Sequence, residues 1–114
     1  MNVSVIGAGP AGSYAAFLLA KQGHKVNVFE DHPAIGVPVQ CTGIVTHALW
    51  DLIPKESSII RTELSKVVVH GPHTKAIVPL HEFVLDRAKL DQYIAELAKK
   101  AGAKFHASHR FIRF

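Results

Sequence analysis

A glycine-rich turn between two apolar segments constrains the fold of this chain more than any other feature. The turn is GAGPAG, Gly7 to Gly12, and the β-branched run Val3 to Ile6 directly precedes it. A helical pattern, Ser13 to Gln22, follows, and a second apolar run, Lys25 to Phe29, ends at Glu30. Strand, glycine turn, helix and strand in this order predict a βαβ unit with a parallel sheet.

Each glycine of the turn has a physical role in such a unit. Gly7 permits the tight turn, Gly9 lets the backbone approach a pyrophosphate, and Gly12 lets the helix pack closely on the strand. The helix N-terminus, with its unpaired N–H groups and positive dipole end, then binds the diphosphate. The Glu30 carboxylate accepts hydrogen bonds from ribose hydroxyls and repels a 2′-phosphate, which predicts an ADP moiety, as in FAD or NAD. The alternative is an ordinary βαβ unit whose glycines serve packing alone.

Composition excludes several other classes of protein. Of the 114 residues, 48% are hydrophobic and 19% are charged, which is typical of a globular domain. The net charge of +4 comes from scattered lysines and arginines, so we expect no nucleic-acid partner. The single cysteine, Cys41, fits a reducing, cytoplasmic compartment. The eight histidines include two His-x-x-His pairs, His70/His73 and His106/His109, without a third ligand nearby, so we expect surface histidines and no metal.

The rest of the chain predicts a long loop, a hairpin and a second crossover. The loop, Asp31 to Gly43, is rich in glycine and proline, and long loops in compact domains are usually functional. An apolar stripe at helical spacing then precedes a last parallel strand, which extends the sheet. In chain order the predicted elements are a helix over Thr46 to Ile53, hairpin strands over Leu64 to His70 and Ala76 to Leu80, a helix with its stripe over Leu90 to Ala101, and a strand over Ala103 to His106.

The C-terminal run, Arg110 to Phe114, predicts an apolar and basic strand with an exposed edge, which proteins usually protect. We therefore expect residues 1–114 to be an incomplete N-terminal FAD/NAD(P)-binding domain of a longer protein. The predicted fold class is α/β: a Rossmann-like FAD-binding domain with a parallel sheet of βαβ units and a small β-hairpin insertion, truncated.

Three segments together resemble the geranylgeranyl reductase family of FAD-dependent flavoproteins. The opening turn with Glu30 resembles the dinucleotide motif of such flavoproteins, and Gly36 to Gly43 (GVPVQCTG) is similar to the family's G-x-P-x-x-C-x-G loop. Leu85 to Asp91, followed by Ala101 to Ala103, resembles its D-R-x-x-(F/L)-D and A-G-A stretch. The resemblance implies reduction of isolated double bonds in polyprenyl groups, as in archaeal digeranylgeranylglycerophospholipids or the chlorophyll and prenyl diphosphate side chains of phototrophs.

The resemblance also implies roles for individual residues. It places Ala11 and Gly12 at the FAD diphosphate and Glu30 at the adenosine ribose. It places Arg87 at the phosphates or the ribityl chain. A bound phosphate would account for a cation at the start of a helix, where the dipole disfavours one.

The segment around Cys41 is expected to lie beside the flavin. By the family pattern, Cys41, Thr42 and Gly43 all lie there. A thiol in that position could tune substrate access, or donate a proton after hydride transfer as a catalytic group. The alternative is that Cys41 is a small hydrophobe in a loop.

Proteins with other functions can be built on the same N-terminal half. They are a flavin monooxygenase, a quinone-linked flavin dehydrogenase, and a non-catalytic module that senses NAD or FAD. Loop Asp31 to Gly43, with its cysteine, argues against the monooxygenase and the sensing module, and only the C-terminal half that this chain lacks decides securely between the enzymes. The family's second FAD motif and its prenyl cavity are absent from this chain. The electron donor stays open between NAD(P)H and ferredoxin, and a lipid substrate makes peripheral membrane contact an expectation.

Overall fold

The computed structural model describes residues 1–113 and divides them into two compact units. Unit 1 consists of residues 1–40 together with the chain from Arg87 onward, and unit 2 is Cys41–Asp86. In chain order the elements are β1 (Asn2–Ile6), α1 (Pro10–Lys21), β2 (Lys25–Phe29), β3 (Ile44–Thr46), α2 (Leu49–Leu52), a 3₁₀ turn (Ser57–Ile59), β4 (Ile60–His70), β5 (Lys75–Leu85), α3 (Arg87–Lys100) and β6 (Lys104–His106).

Unit 1 contains a parallel sheet in the order β1-β2-β6. β1 pairs with β2 in the register Val3↔Val26, and β2 pairs with β6 in the register Val28↔Phe105. α1 provides the crossover between the first two strands, and α3 precedes the third. The predicted Rossmann-like fold, with its parallel last strand, is therefore confirmed.

Small residues form the core of unit 1, where the two helices pack on the sheet. Val26 and Val28 of β2 are almost completely buried, because β2 is the central strand. α3 buries Leu90, Ile94 and Ala98, which confirms its predicted apolar stripe. The core cluster comprises Ala8, Ala16, Ala20, Val26, Val28, Ala98 and Ala103. Alanine at the helix positions allows the close approach of α1 and α3.

Unit 2 contains an antiparallel sheet in the order β3-β5-β4. Its hairpin is longer than predicted, because the distal half of β5 pairs with both neighbours. A register shift beside Pro79 accommodates a residue that cannot donate to the ladder. The predicted helix over Thr46 to Ile53 is shorter in the structure, where it spans Leu49–Leu52. Thr46 belongs instead to β3, which pairs with β5. Phe83 is buried in this unit, with Trp50 edge-on at 5.8 Å.

The predicted C-terminal strand is wrong for residues 110–113, which form no strand, while Phe114 lies outside the described residues. The chain turns after β6, with Ser108 in the left-handed region at φ +57°. Ser108 N–H then donates to His32 O (3.1 Å), and His109 N–H donates to Glu30 O (2.8 Å). These two bonds hold residues 108 and 109 against the segment after β2, so the chain does not continue along the direction of β6.

Within residues 1–113, every helix is too short or too polar to cross a bilayer.

Candidate dinucleotide-binding site

The turn between β1 and α1 brings the helix N-terminus to the end of the sheet. Gly7 adopts φ +93°, a conformation that favours glycine, and its N–H donates to Phe29 O at 2.8 Å. Gly9 is the N-cap of α1 and, as glycine, has no side chain to accept from the first-turn N–H groups. The close helix–strand contact predicted at Gly12 is present, since a Cβ there would lie 2.0 Å from Gly7 O.

Glu30 follows β2, and its carboxylate lies against this turn. The Ala8 N–H donates to Oε2 at 2.7 Å, and the His32 N–H donates to Oε1 at 3.0 Å. Burial alone would raise the pKa of Glu30, but hydrogen bonds from these N–H groups and from the His32 ring outweigh it and lower the pKa to about 2. Glu30 is therefore ionised at neutral pH and fixed in place.

His32 is a partner of Glu30 that the sequence patterns did not reveal. Its Nδ1 lies 2.6 Å from Glu30 Oε1 and 2.9 Å from Asp31 Oδ1. The hydrogen bond to Glu30, together with the charge of Asp31, raises the pKa of His32. The three side chains bring carboxylate and imidazole atoms within 4.8 Å of one another. Their geometry is that of hydrogen-bonded acid–imidazole pairs, which needs no metal to account for it.

A cavity of about 270 Å³ connects the glycine turn with the loop that follows Glu30. Gly36 of this loop has φ +79°, and a Cβ there would lie 2.7 Å from Ala88 O at the start of α3. The loop is thus packed directly on the helix backbone. The residues that line the cavity are Ala8, Gly9, Glu30, Asp31, His32, Ala34, Gly36, Val37, Pro38, Gln40 and Asp91.

Asp91 contributes a buried carboxylate to this cavity, and sequence reasoning missed it. Arg87, one turn earlier, bonds Asp91 Oδ1 through Nε at 3.2 Å and Nη2 at 3.1 Å. Burial raises the pKa of Asp91, and the Arg87 guanidinium opposes that effect. An acid within the otherwise apolar stripe of α3, four residues after an arginine, was the signal that could have revealed the pair.

Cys41, Thr42 and Gly43 belong to unit 2, whereas the part of the loop before them belongs to unit 1. Cys41 and Thr42 are exposed, while Gly43 is buried and its carbonyl accepts from Leu85 N–H at 2.9 Å. Cys41 follows Gln40 of the cavity directly in the chain. The predicted position of these three residues beside a flavin stays a prediction.

The fold defines the class of the protein: a Rossmann-like α/β protein, whose glycine turn and Glu30 have the arrangement typical of a dinucleotide-binding βαβ unit. The family model described as an NAD(P)-binding Rossmann-like domain matches residues 5–47, which include the turn and the cavity loop.

Relatives and solved structures narrow this class. Digeranylgeranylglycerophospholipid reductase 2 of Methanopyrus kandleri is 40% identical over 106 residues, which cover 90% of this chain and 27% of the relative. A geranylgeranyl bacteriochlorophyll reductase-like structure from Thermoplasma acidophilum superposes with a TM-score of 0.87 at 33% identity, covering 94% of this chain and 30% of that one. These matches confirm the predicted resemblance to geranylgeranyl reductases. The chain spans less than a third of either protein.

A more distant structure shares the fold alone. The myxobacterial chondrochloren halogenase, described as a variant of FAD-dependent halogenases, matches with a TM-score of 0.76 at 19% identity. The match covers 97% of this chain and 29% of the halogenase.

Proposed function

We propose that this sequence belongs to an FAD-dependent oxidoreductase that reduces carbon–carbon double bonds of geranylgeranyl groups in lipids. Residues 1–114 supply its ADP-binding part, and the substrate domain and second FAD motif lie in the part of the relatives that the chain does not span. The observation that carries this function is the 40% identity to an archaeal digeranylgeranylglycerophospholipid reductase over 90% of the chain. The site geometry gives independent support for the cofactor.

The residues of unit 1 fit the ADP moiety of FAD. Apart from chain neighbours, no described atom lies within 4 Å of a Cβ built on Gly9, so a diphosphate can approach the backbone there. The N–H groups of Ala11 and Gly12 lie in the first turn of α1, whose positive end favours phosphate. The ionised Glu30 carboxylate accepts from ribose hydroxyls. A phosphate on the ribose 2′ oxygen would be repelled by this negative charge, which favours FAD over a dinucleotide that carries a 2′-phosphate.

A second cavity supplies a place for the adenine. It measures about 320 Å³, and Glu30 lines it as well as the first cavity. Its walls include the apolar side chains of Pro33, Ile35 and Phe105. A ribose held by Glu30 therefore has one cavity beside Gly9 for the diphosphate and a second, with both apolar and charged side chains in its walls, for the base.

The reaction belongs to the complete protein. FAD held by the glycine turn and Glu30 would, in its reduced form, supply the hydride for reduction of the double bond. Cys41, Thr42 and Gly43 lie beside the flavin in this proposal, and the Cys41 thiol donates the proton that completes the reduction. The substrate is a prenylated lipid or a prenyl diphosphate, and peripheral contact of a cytoplasmic protein with the membrane gives access to it. NAD(P)H or ferredoxin supplies the electrons.

The test begins with the absorbance spectrum of the full-length protein, purified without added cofactor. We expect flavin absorption bands, and release of FAD rather than FMN on denaturation. After anaerobic reduction, addition of digeranylgeranylglycerophospholipid should reoxidise the flavin and yield a product two hydrogen atoms heavier per bond reduced. Supplying NADPH or reduced ferredoxin as sole reductant then identifies the donor.

Other outcomes would assign the protein differently. A flavoprotein that ignores prenyl lipids but consumes oxygen with an aromatic substrate would be a monooxygenase, and one that reduces quinones would be a quinone-linked dehydrogenase. A colourless protein that binds NAD without turnover would be a dinucleotide-sensing module.

A further inference from the structure

α3 carries a buried acid whose presence its own stability does not explain. Asp91 is only 8% exposed and lies between Leu90 and Ile94 on the apolar face. Removing a carboxylate from water costs several kcal/mol, and well-packed apolar residues are often as stable as a buried ion pair. Its partner, Arg87, lies in the first turn, where the helix dipole disfavours a cation. Stability alone would therefore favour other residues at both positions.

The position of the pair points to a ligand. Asp91 lines the same cavity as Gly9 and Glu30. The Arg87 guanidinium donates a hydrogen bond to Asp91. Three carboxylates, those of Glu30, Asp31 and Asp91, line this cavity and would repel a diphosphate. The Arg87 charge offsets Asp91, and a guanidinium can bond a carboxylate along one edge and a phosphate along another.

The backbone around the pair is also fixed. Gly36 packs on Ala88, which directly follows Arg87, so the cavity loop and the first turn of α3 keep a constant spacing. An arginine side chain has many rotamers, and ordering it opposes ligand binding. A hydrogen-bonded partner on its own helix removes much of that entropy loss in advance.

We propose that Asp91 is a positioning residue, which holds the Arg87 guanidinium at this cavity so that it binds the diphosphate of the dinucleotide. This inference rests on the proposed function and deepens it, because it assigns a role to an acid outside the glycine turn. Asp91 acts through Arg87 and does not itself contact the phosphates.

The test compares ADP with adenosine, which lacks the phosphates, as ligands of the full-length protein stripped of flavin. Competition calorimetry measures both affinities for the wild type and for Asp91→Asn, Asp91→Glu and Arg87→Gln. The matched control is Asp51→Asn, the same change at an exposed position of α2. We expect Asp91→Asn and Arg87→Gln each to weaken ADP about tenfold, the effect of one charge-assisted hydrogen bond.

Three further results are expected. Adenosine affinity stays within about twofold in every variant, the double variant loses no more than either single one, and Asp91→Glu recovers most of the loss. If Asp91→Asn does not fold, Arg87→Gln and Asp91→Glu give the same comparison.

An equal loss of ADP and adenosine affinity would show a merely structural role and refute the inference. ADP affinity within twofold of the wild type in Asp91→Asn would refute it too. A wild type that binds neither ADP nor FAD would refute the proposed function, and the inference with it.

Discussion

Substituting Gly12 by alanine should displace α1 from β1. The new Cβ would lie 2.0 Å from Gly7 O and 3.2 Å from Gly7 C, whereas real Cβ contacts essentially never fall below 3.0 Å. The helix or the turn must therefore move by about 1 Å. Both neighbours are backbone atoms, so no side-chain rotation relieves the overlap. Overpacking costs about 1–3 kcal/mol, and a rigid backbone neighbour favours the upper end, ~3 kcal/mol of unfolding free energy.

Gly9 provides the matched control within the same turn. Its conformation, φ −69° and ψ −179°, is open to any residue, and no described atom beyond its chain neighbours lies within 4 Å of the added Cβ. We expect Gly9→Ala to change the unfolding free energy by less than ~1 kcal/mol. Its methyl group instead occupies the space that a diphosphate would enter, so ADP affinity should fall at least tenfold.

Urea titration followed by far-ultraviolet circular dichroism measures the two unfolding free energies, and calorimetry measures ADP affinity. The two variants should separate: Gly12→Ala loses stability, whereas Gly9→Ala loses affinity at nearly wild-type stability. If Gly12→Ala were as stable as the wild type, or if the two variants were equally destabilised, the packing argument for this turn would be wrong.

Three other substitutions test the rest of the site. Because folding lowers the pKa of Glu30 from 4.5 to about 2, its ionised carboxylate should stabilise the fold above pH 4.5, and this stabilisation is lost as the pH falls towards 2. Acid titration of Glu30→Gln should show a correspondingly shallower loss of stability, and an unchanged slope would contradict the assignment. Gly36→Ala should lower the unfolding free energy by ~2 kcal/mol or more, because it combines a positive φ with a Cβ only 2.7 Å from Ala88 O. The control Gly23→Ala, at φ +86° in open space, should lose only ~1 kcal/mol. Cys41→Ser should lower turnover of the full-length enzyme at least tenfold with unchanged flavin content, and undiminished turnover would remove the thiol from catalysis.

The sequence was sufficient for β1, α1 and β2 of unit 1 because their signals are local. A β-branched run, a glycine turn and a period of 3.6 residues each depend on neighbours in the chain, and together they predicted the two strands almost to the residue and the helix to within three residues. The position of Glu30 at the end of β2 was predicted for the same reason, and its role at a ribose stays a prediction.

What the sequence missed depends on partners that are distant in the chain. β3 became a strand because β5 supplies its hydrogen bonds, which overrides a weak helical pattern over Thr46 to Ile53. Asp91 was missed because hydrophobic periodicity identifies only the apolar positions of a buried face, and the burial of an acid there depends on how α3 packs in the fold. The run after Arg110 was predicted as a strand from its apolar residues, but bonds of Ser108 and His109 to the segment after β2 redirect it.

The discontinuity of unit 1 affects the order in which the chain can fold during synthesis. β1, α1 and β2 leave the ribosome first, yet β2 obtains its second neighbour only when β6 has been made. All of unit 2 is translated in between, which takes on the order of seconds at about 5–20 residues per second. During that interval the second edge of β2 is exposed, and its pairing with β6 must close a long loop. Codons within unit 2 that slow elongation would therefore prolong the exposure of an aggregation-prone edge, although they encode no residue of the sheet they affect.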